Sequence, residues 1–345
     1  MSSGLMLSIA NKSQFVKSLK DKDSVQSPFL VKYSSVATGK NGKAYMNLVL
    51  MDSSGEVEAR LWEDVAQHAG QVVRDAFVHV EGRVQSYQGR LQVVISRMQV
   101  LREDQVQMEE YLPKSHLNAD ILYRELLGFV DSMKDPYYKA LAEAILKDDA
   151  EIIQRMKRAP AAKTMHHAYP VGLLEHVVSI TRVLDFLASH YSGSLDRDLL
   201  FLGGFFHDIA KIWELQYERV TDYTTEGKLV GHLVMGVELV DRKIRELESQ
   251  PGRLPGVFPE EKKLLVKHLI LAHHGKFEYG SPVLPQCLEA LVVHYIDDLD
   301  SKMNAIGKFM EADQNPGPWT LLNRHYERFF FKGEGGAGPG LSGVF

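Results

Sequence analysis

Between about Pro28 and Leu101 apolar and polar residues alternate with a period of two, and β-forming side chains dominate. The alternation predicts five strands: Phe29–Tyr33, Ala44–Met51, Glu56–Trp62 after the turn Asp52-Ser-Ser-Gly55, Ala76–Gly82, and Arg90–Val100 after a turn at Tyr87-Gln-Gly89. A short helical piece near Val65–Val73 falls between the third and fourth. From Leu117 the apolar spacing becomes helical and stays so almost to the end. Asn118-Ala-Asp120 caps a helix to about Met133, and Pro136 starts another that reaches roughly Lys157. Ala159-Pro160 breaks the pattern. Further helices are expected over Gly172–His190, Leu195–Leu215, Leu229–Leu247, Pro259–His273 and Pro282–Met310. The fold class is therefore an N-terminal all-β barrel with the strand order of an OB-fold, followed by an all-α domain. The expected limits are 24–104 for the barrel, 105–116 for a charged linker, 117–331 for the helical domain and 332–345 for a flexible glycine-rich tail.

Composition narrows the partners. A length of 345 residues is more than one core usually spans, which agrees with two domains. The net charge of −5 excludes a protein that coats nucleic acid by bulk charge, while leaving room for a local basic groove. Cys287 is the single cysteine, so a disulfide framework and a thiolate metal site are both excluded. Met1–Asn11 lacks the basic-then-apolar order of a signal peptide, and no apolar run is long enough to cross a bilayer. A cytoplasmic protein with no membrane partner is expected.

OB-fold barrels commonly bind single-stranded nucleic acid through two strands and the flanking loops. The side chains suited to stacking or to phosphate are Tyr33, Lys40, Lys43, Tyr45, Arg60, Trp62, Arg83, Tyr87 and Arg90, with Tyr33, Lys43, Trp62 and Arg83 foremost. For any one of the aromatics, barrel core is the plainer reading.

The helical half carries the chemistry. In Phe201-Leu-Gly-Gly-Phe-Phe-His-Asp-Ile-Ala-Lys211 a His-Asp pair emerges from an apolar helix, with a lysine one turn later. About one such dipeptide is expected by chance in a chain with 14 histidines, so the pair alone is weak. Its company is stronger: His176, His232, His273, His274 and Asp297 each lie in or beside an apolar helical pattern. Imidazoles and carboxylates converging from several helices are costly to bury unless they share a cation. A nitrogen and oxygen donor set without sulfur suits Mn, Fe, Ni, Co, Mg or Zn. The set is large enough for two ions, which would lower the pKa of a bridging water and clamp a phosphoester. Lys211 shares the face of His207 and Asp208 and is placed to neutralise a scissile phosphate. Asp208 and Lys211 are the expected catalytic residues, and His166 and His167 are expected to contact the substrate phosphate. Whether one or both of His273 and His274 bind metal stays open, and Asp298 and Asp300 read as solvated or as ligand-orienting carboxylates.

The ordered set His176, His207-Asp208 and Asp297 resembles the signature of the HD superfamily of metal-dependent phosphohydrolases, with His232, His273-His274 and Lys211 resembling its binuclear branches. The strings His166-His-Ala-Tyr-Pro-Val-Gly-Leu-Leu-Glu-His176, Gly204-Phe-Phe-His-Asp-Ile-Ala-Lys211 and His294-Tyr-Ile-Asp-Asp-Leu-Asp-Ser-Lys302 are more specific. Together with the barrel they resemble the YhaM-type 3′→5′ exoribonucleases of bacteria, from about Pro28 to Phe331. The resemblance implies manganese-favoured hydrolysis of single-stranded RNA, with single-stranded DNA also admitted, to nucleoside monophosphates. It implies His176, His207, Asp208 and Asp297 as core ligands, with His232 and one or both of His273 and His274 at a second site. Mg2+, Co2+, Fe2+ and Ni2+ stay open as the metal, and so does a homo-oligomer. The competing readings are a phosphohydrolase acting on a nucleotide or cyclic dinucleotide, and a nucleic-acid adaptor whose metal site is structural.

Overall fold

A computed structural model describes residues 12–39, 42–87, 90–112, 117–163, 167–313 and 315–334. Of the expectations above, His166, Lys40, linker residues 113–116 and the tail from 335 onward lie outside the described residues. Contacts divide the chain into residues 1–114 with 218–220, and residues 115–217 with 221–345.

The first unit is a closed five-stranded barrel in the order β1-β2-β3-β5-β4. Its strands are β1 (Ser24–Thr38), β2 (Ala44–Asp52), β3 (Gly55–Leu61), β4 (Phe77–Tyr87) and β5 (Arg90–Leu101), with helix α1 (Val65–His68) between the third and fourth. β1 is long enough to pair with β4 through Ser24–Leu30 and with β2 through Leu30–Thr38, and a parallel β3–β5 pairing closes the circle. Alternation sends Val25, Phe29, Val31, Leu48, Leu50, Ala59, Leu61 and Val80 inward, where they are buried. Lys12 is buried over the Phe29 ring and pairs with Asp52 at 3.0 Å, which anchors the segment before β1. The unit is not purely β. Besides α1, 3₁₀ turns form at Glu103–Gln105 and Met108–Glu110, and Tyr111 is fully buried edge-on to Phe77. Residues 105–112, expected as linker, thus pack as part of the barrel unit, because their aromatic and aliphatic side chains find a small apolar cluster there.

The second unit contains helices α2 (Ala119–Ser132), α3 (Pro136–Leu146), α4 (Ala150–Met156), α5 (Gly172–His190), α6 (Arg197–Phe206), α7 (Lys211–Glu214), α8 (Thr225–Leu229), α9 (His232–Ser249), α10 (Glu260–Ala272) and α11 (Leu288–Ala312). Side-chain caps fix five of the starts: Asn118, Asp135, Asp149, Asp196 and Thr224 each accept from backbone N–H groups of the first turn. α6 is apolar all round and buried from Leu199 to Phe206, so it forms the centre against α5, α10 and α11.

Three expected helices are divided. Pro136 to Lys157 becomes α3 and α4, since the Asp149 cap starts a new helix. Leu195 to Leu215 breaks at residues 207–210, and Leu229 to Leu247 breaks before Gly231, whose φ is +80°. α11 starts at Leu288, later than expected, because Pro282 and Pro285 cannot donate to helical hydrogen bonds. Nor is the unit purely helical: β6 (Leu215–Gln216) and β7 (Asp222–Tyr223) form a small ribbon. Lys332, expected in the flexible tail, is buried and pairs with Asp313 at 2.9 Å.

Candidate metal centre

His207 and Asp208 do not sit within a helix. α6 ends at Phe206, and bonds of the i→i+3 type (Ile209 N to Phe206 O at 3.3 Å, Lys211 N to Asp208 O at 3.0 Å) tighten the chain into a turn. Neighbours on a helix point about a hundred degrees apart, yet here His207 Nε2 lies 3.4 Å from Asp208 Oδ2. The same device operates at His273 and His274, which follow the end of α10 with ring centroids 4.4 Å apart. Gly275 makes that exit possible. Its φ is +75°, and a Cβ there would lie 2.1 Å from the His294 ring. His294 Nδ1 in turn bonds the carbonyl of His273 at 2.8 Å, fixing the backbone of the pair.

Two clusters of ligand atoms result. In the first, His176 Nε2 is 3.2 Å from His207 Nε2 and 3.1 Å from Asp297 Oδ1, and Asp208 Oδ2 lies 3.9 Å from His176 Nε2. In the second, His232 Nε2 and His273 Nε2 lie 3.4 and 3.5 Å from the other Asp208 oxygen, Oδ1, with His274 beside them. Asp208 therefore faces one cluster with each oxygen. Both His273 and His274 reach the second.

Each Nε2 is aimed inward because Nδ1 is occupied elsewhere. His176 Nδ1 bonds Asp300 Oδ2 at 2.8 Å, His207 Nδ1 bonds the carbonyls of Gly203 and Gly204, His232 Nδ1 bonds Glu214 Oε1 at 2.8 Å, and His273 Nδ1 bonds the Ile270 carbonyl at 2.8 Å. Burial opposes charge on Asp208, but Lys211 and His207 outweigh it and hold its carboxyl well below the ordinary value. Lys211 Nζ donates to Asp208 Oδ2 at 2.6 Å, and against the cost of burial this pairing raises the ammonium's pKa. Burial also opposes charge on His176, yet hydrogen bonds to Asp297 and Asp300 push its pKa up to about 10. His274 moves the other way, down to about 3, through burial and the neighbouring His273 and His232.

A cation fits this arrangement on its own terms. Asp208 Oδ1, His232 Nε2 and His274 Nδ1 are buried without a hydrogen-bond partner, and such atoms are costly unless something binds them. Neutral His274 and ionised Asp208 are in the protonation states that cation ligands need.

The remaining expected residues are placed differently. His167 is fully buried, with Nδ1 2.7 Å from Glu175 and Nε2 3.1 Å from Asp300, so it is closed to a substrate phosphate. It belongs to a chain of bonds that runs from His176 through Asp300 to His167, Glu175 and Tyr169, with Ser179 Oγ donating to Asp300 at 2.5 Å. The backbone there is strained: His167 has φ +44° and β-branched Val171 has φ +71°. Of the two aspartates left open, Asp300 is the ligand-orienting one, and Asp298 is half-buried and paired with Lys302 at 2.6 Å. Glu214, Glu175 and Tyr169 carried no signal of spacing or composition and were reachable only through the fold.

On the barrel, Tyr33, Trp62 and Tyr87 are not core; each is at least half exposed. Trp62 stacks on Tyr45, with centroids 4.6 Å apart and rings 23° from parallel. Tyr33 is on β1 opposite Val49 of β2, Trp62 directly follows β3, and Lys43 precedes β2 and is exposed. Arg83 is not brought to this group. It pairs with Ser24, at the other end of β1 from Tyr33.

Residues 173–302 match the HD domain family, and residues 31–101 match an OB-fold nucleic acid binding domain. Over 312 residues the chain is 34% identical to the 3′-5′ exoribonuclease YhaM of Halalkalibacterium halodurans, covering 90% of this chain and 93% of that one. The chain belongs to the YhaM family. A second YhaM, from Oceanobacillus iheyensis, is 35% identical over 292 residues, covering 84% of this chain and 88% of its own. Among solved structures, the second OB-fold domain of replication protein A from Methanococcus maripaludis is similar to 26% of this chain and 95% of its own length, at 18% identity and a TM-score of 0.23. All the residues of the two ligand clusters lie inside the HD match.

Proposed function

We propose that this chain is a metal-dependent 3′→5′ exoribonuclease acting on single-stranded RNA, with single-stranded DNA as a secondary substrate. The observation that carries the reading is Asp208, whose two oxygens face two ligand clusters in a chain that also has a barrel on which half-exposed Trp62 stacks on Tyr45. His176, His207, Asp297 and Asp208 Oδ2 would hold one divalent ion, and His232, His273, His274 and Asp208 Oδ1 a second. An imidazole-rich site without sulfur favours a transition metal such as Mn2+. Such ions, when bound, make water a nucleophile near neutral pH and offset charge on phosphoryl oxygens.

The chain's own residues do the rest. Tyr45 and Trp62 offer π faces to successive bases, a mode of binding that tolerates any sequence. Lys211 lines a cleft of about 870 Å³ together with His232 and His274, where its ammonium can meet the terminal phosphodiester. Water oxygen bonds to phosphorus, the bond to the penultimate 3′ oxygen breaks, and that oxygen leaves with a proton. The terminal residue departs as a nucleoside 5′-monophosphate and the strand is one residue shorter. Asp300, Glu214 and the backbone carbonyls hold the imidazoles so that little reorganisation is needed.

The test is digestion of 5′-end-labelled single-stranded RNA by the Mn2+-loaded protein. A ladder shortening from the 3′ end with mononucleotide product is expected; intact RNA overturns the reading. Hydrolysis of a nucleotide or cyclic dinucleotide would instead show turnover indifferent to oligonucleotide length, and nothing in the barrel's exposed rings favours it.

A further inference from the structure

The HD match spans residues 173–302, but the cleft that opens from the metal centre has walls on both sides of those limits. Lys163 stands on one side, and Tyr326 and Arg328 on the other. These flanks lie outside the family match, which makes them a place where a particular substrate can be selected.

The C-terminal flank is a built element. Trp319 bridges to Phe331 and Asn323 to Arg328, and Thr320 N donates to Phe330 O at 2.9 Å. At its tip Asn323 Oδ1 accepts from the N–H groups of His325 and Tyr326, at 3.0 and 3.1 Å. At its base the buried Lys332–Asp313 pair is reinforced by Leu321 N donating to Asp313 at 2.8 Å. The Tyr326 ring is half-buried and held edge-on by Phe330 and His325.

Charge distinguishes Arg328 from its neighbours. Lys163 and Lys302 line the same cleft, but each is paired with a carboxylate at 2.6 Å, Asp222 and Asp298 respectively. Arg328 is exposed, donates from Nε to the Tyr326 carbonyl at 2.9 Å, and has no ion pair among the described residues. That single bond orients the guanidinium and leaves its other donors for a ligand. A planar guanidinium is suited to bidentate contact with phosphate, and a fixed ring beside it to stacking on a base. The cleft volume lies in the range of sites for nucleotide-sized ligands.

We propose that the hairpin 319–331 is the nucleotide-binding wall of the cleft, with Arg328 gripping a phosphate of the 3′-terminal segment and Tyr326 stacking on its base. The proposal rests on the reading of the chain as a nuclease, and its test separates the two. In the full-length Mn2+-loaded protein, Arg328→Ala and Tyr326→Ala should each raise KM for single-stranded RNA about tenfold with kcat little changed. Hydrolysis of bis(p-nitrophenyl) phosphate, which lacks a nucleotide, should be unaffected, as should metal content. Arg328→Lys should recover only part of the loss, and Tyr326→Phe nearly all of it. Calorimetric binding of adenosine 5′-monophosphate reads the wall without any cleavage of RNA and without the barrel. About tenfold weaker binding by either alanine variant is expected, and unchanged affinity in both overturns the wall. Failure of the parent protein to shorten RNA, with nucleotide binding still lost in the variants, would overturn the nuclease reading and leave the wall standing.

Discussion

The outer face of the barrel and the centre of the helical unit solve opposite problems. On β1–β3 the protein leaves Tyr33 and Trp62 half in water, where each sacrifices burial that a core would have gained. In the helical unit it buries four histidines and Asp208, and half-buries His274 and Asp297 beside them, where each is costly unless paired. The first arrangement needs only rings with an accessible face, and a shift of an ångström matters little. The second is organised in depth: a ligand nitrogen points inward because a carboxylate or carbonyl holds its other nitrogen, and behind Asp300 stand His167, Glu175 and Tyr169. Contact with a passing strand can be added to a barrel one ring at a time. Ion binding demands that distant parts of the chain agree.

That contrast predicts unequal damage. The largest loss is expected for Asp208→Ala, which removes an oxygen from both clusters; cleavage of RNA should fall by roughly 10³-fold or more with far-UV circular dichroism unchanged. An intermediate loss is expected for Asp300→Asn, which keeps every ligand and frees His176 to turn: Mn2+ affinity by calorimetry should fall about 10–100-fold, with turnover partly restored at saturating Mn2+. Trp62→Ala should weaken binding of single-stranded RNA by roughly tenfold in fluorescence anisotropy and leave Mn2+ affinity untouched. If Trp62→Ala lowered metal affinity as well, the separation drawn between the two regions would fail.

The smallest effect is one of pH. Burial opposes charge on Asp300, but hydrogen bonds to His167, His176 and Ser179 hold its carboxyl well below its ordinary value of 3.8. A carboxyl lowered on folding contributes stability above its unfolded pKa, and the contribution disappears as pH falls through the folded one. In chelator-treated protein, the lead of the parent over Asp300→Asn in urea denaturation should be full at pH 6 and shrink below about pH 4. A lead that grew on acidification would contradict the assignment of Asp300 as an ionised partner.

How much of this the chain discloses unaided follows from what kind of information each part needs. Period-two alternation marks the strands, because one face of each must be apolar to fill a barrel. Residue type marks His176, His207, Asp208 and Asp297, since few other roles need imidazole beside carboxylate in an apolar helix. Helix ends were the hard part. The stretch from Leu195 to Leu215 reads as one helix, and only the turn at residues 207–210 explains how adjacent His207 and Asp208 serve one space. His167 misleads for a related reason. A histidine in a polar stretch looks free to meet a phosphate until tertiary packing buries it against Asp300 and Glu175. The exposure of Trp62 was likewise illegible, because an aromatic at a strand end can point either way.

The central claim is that Asp208 joins two ion sites assembled from separate helices. Metal analysis of the full-length protein after titration with Mn2+ and removal of the excess tests it most directly, run beside Asp208→Ala and His274→Ala. The account predicts two ions per chain in the parent, about one in His274→Ala and none held tightly by Asp208→Ala. Two ions retained by Asp208→Ala, or none bound by the parent, would contradict it.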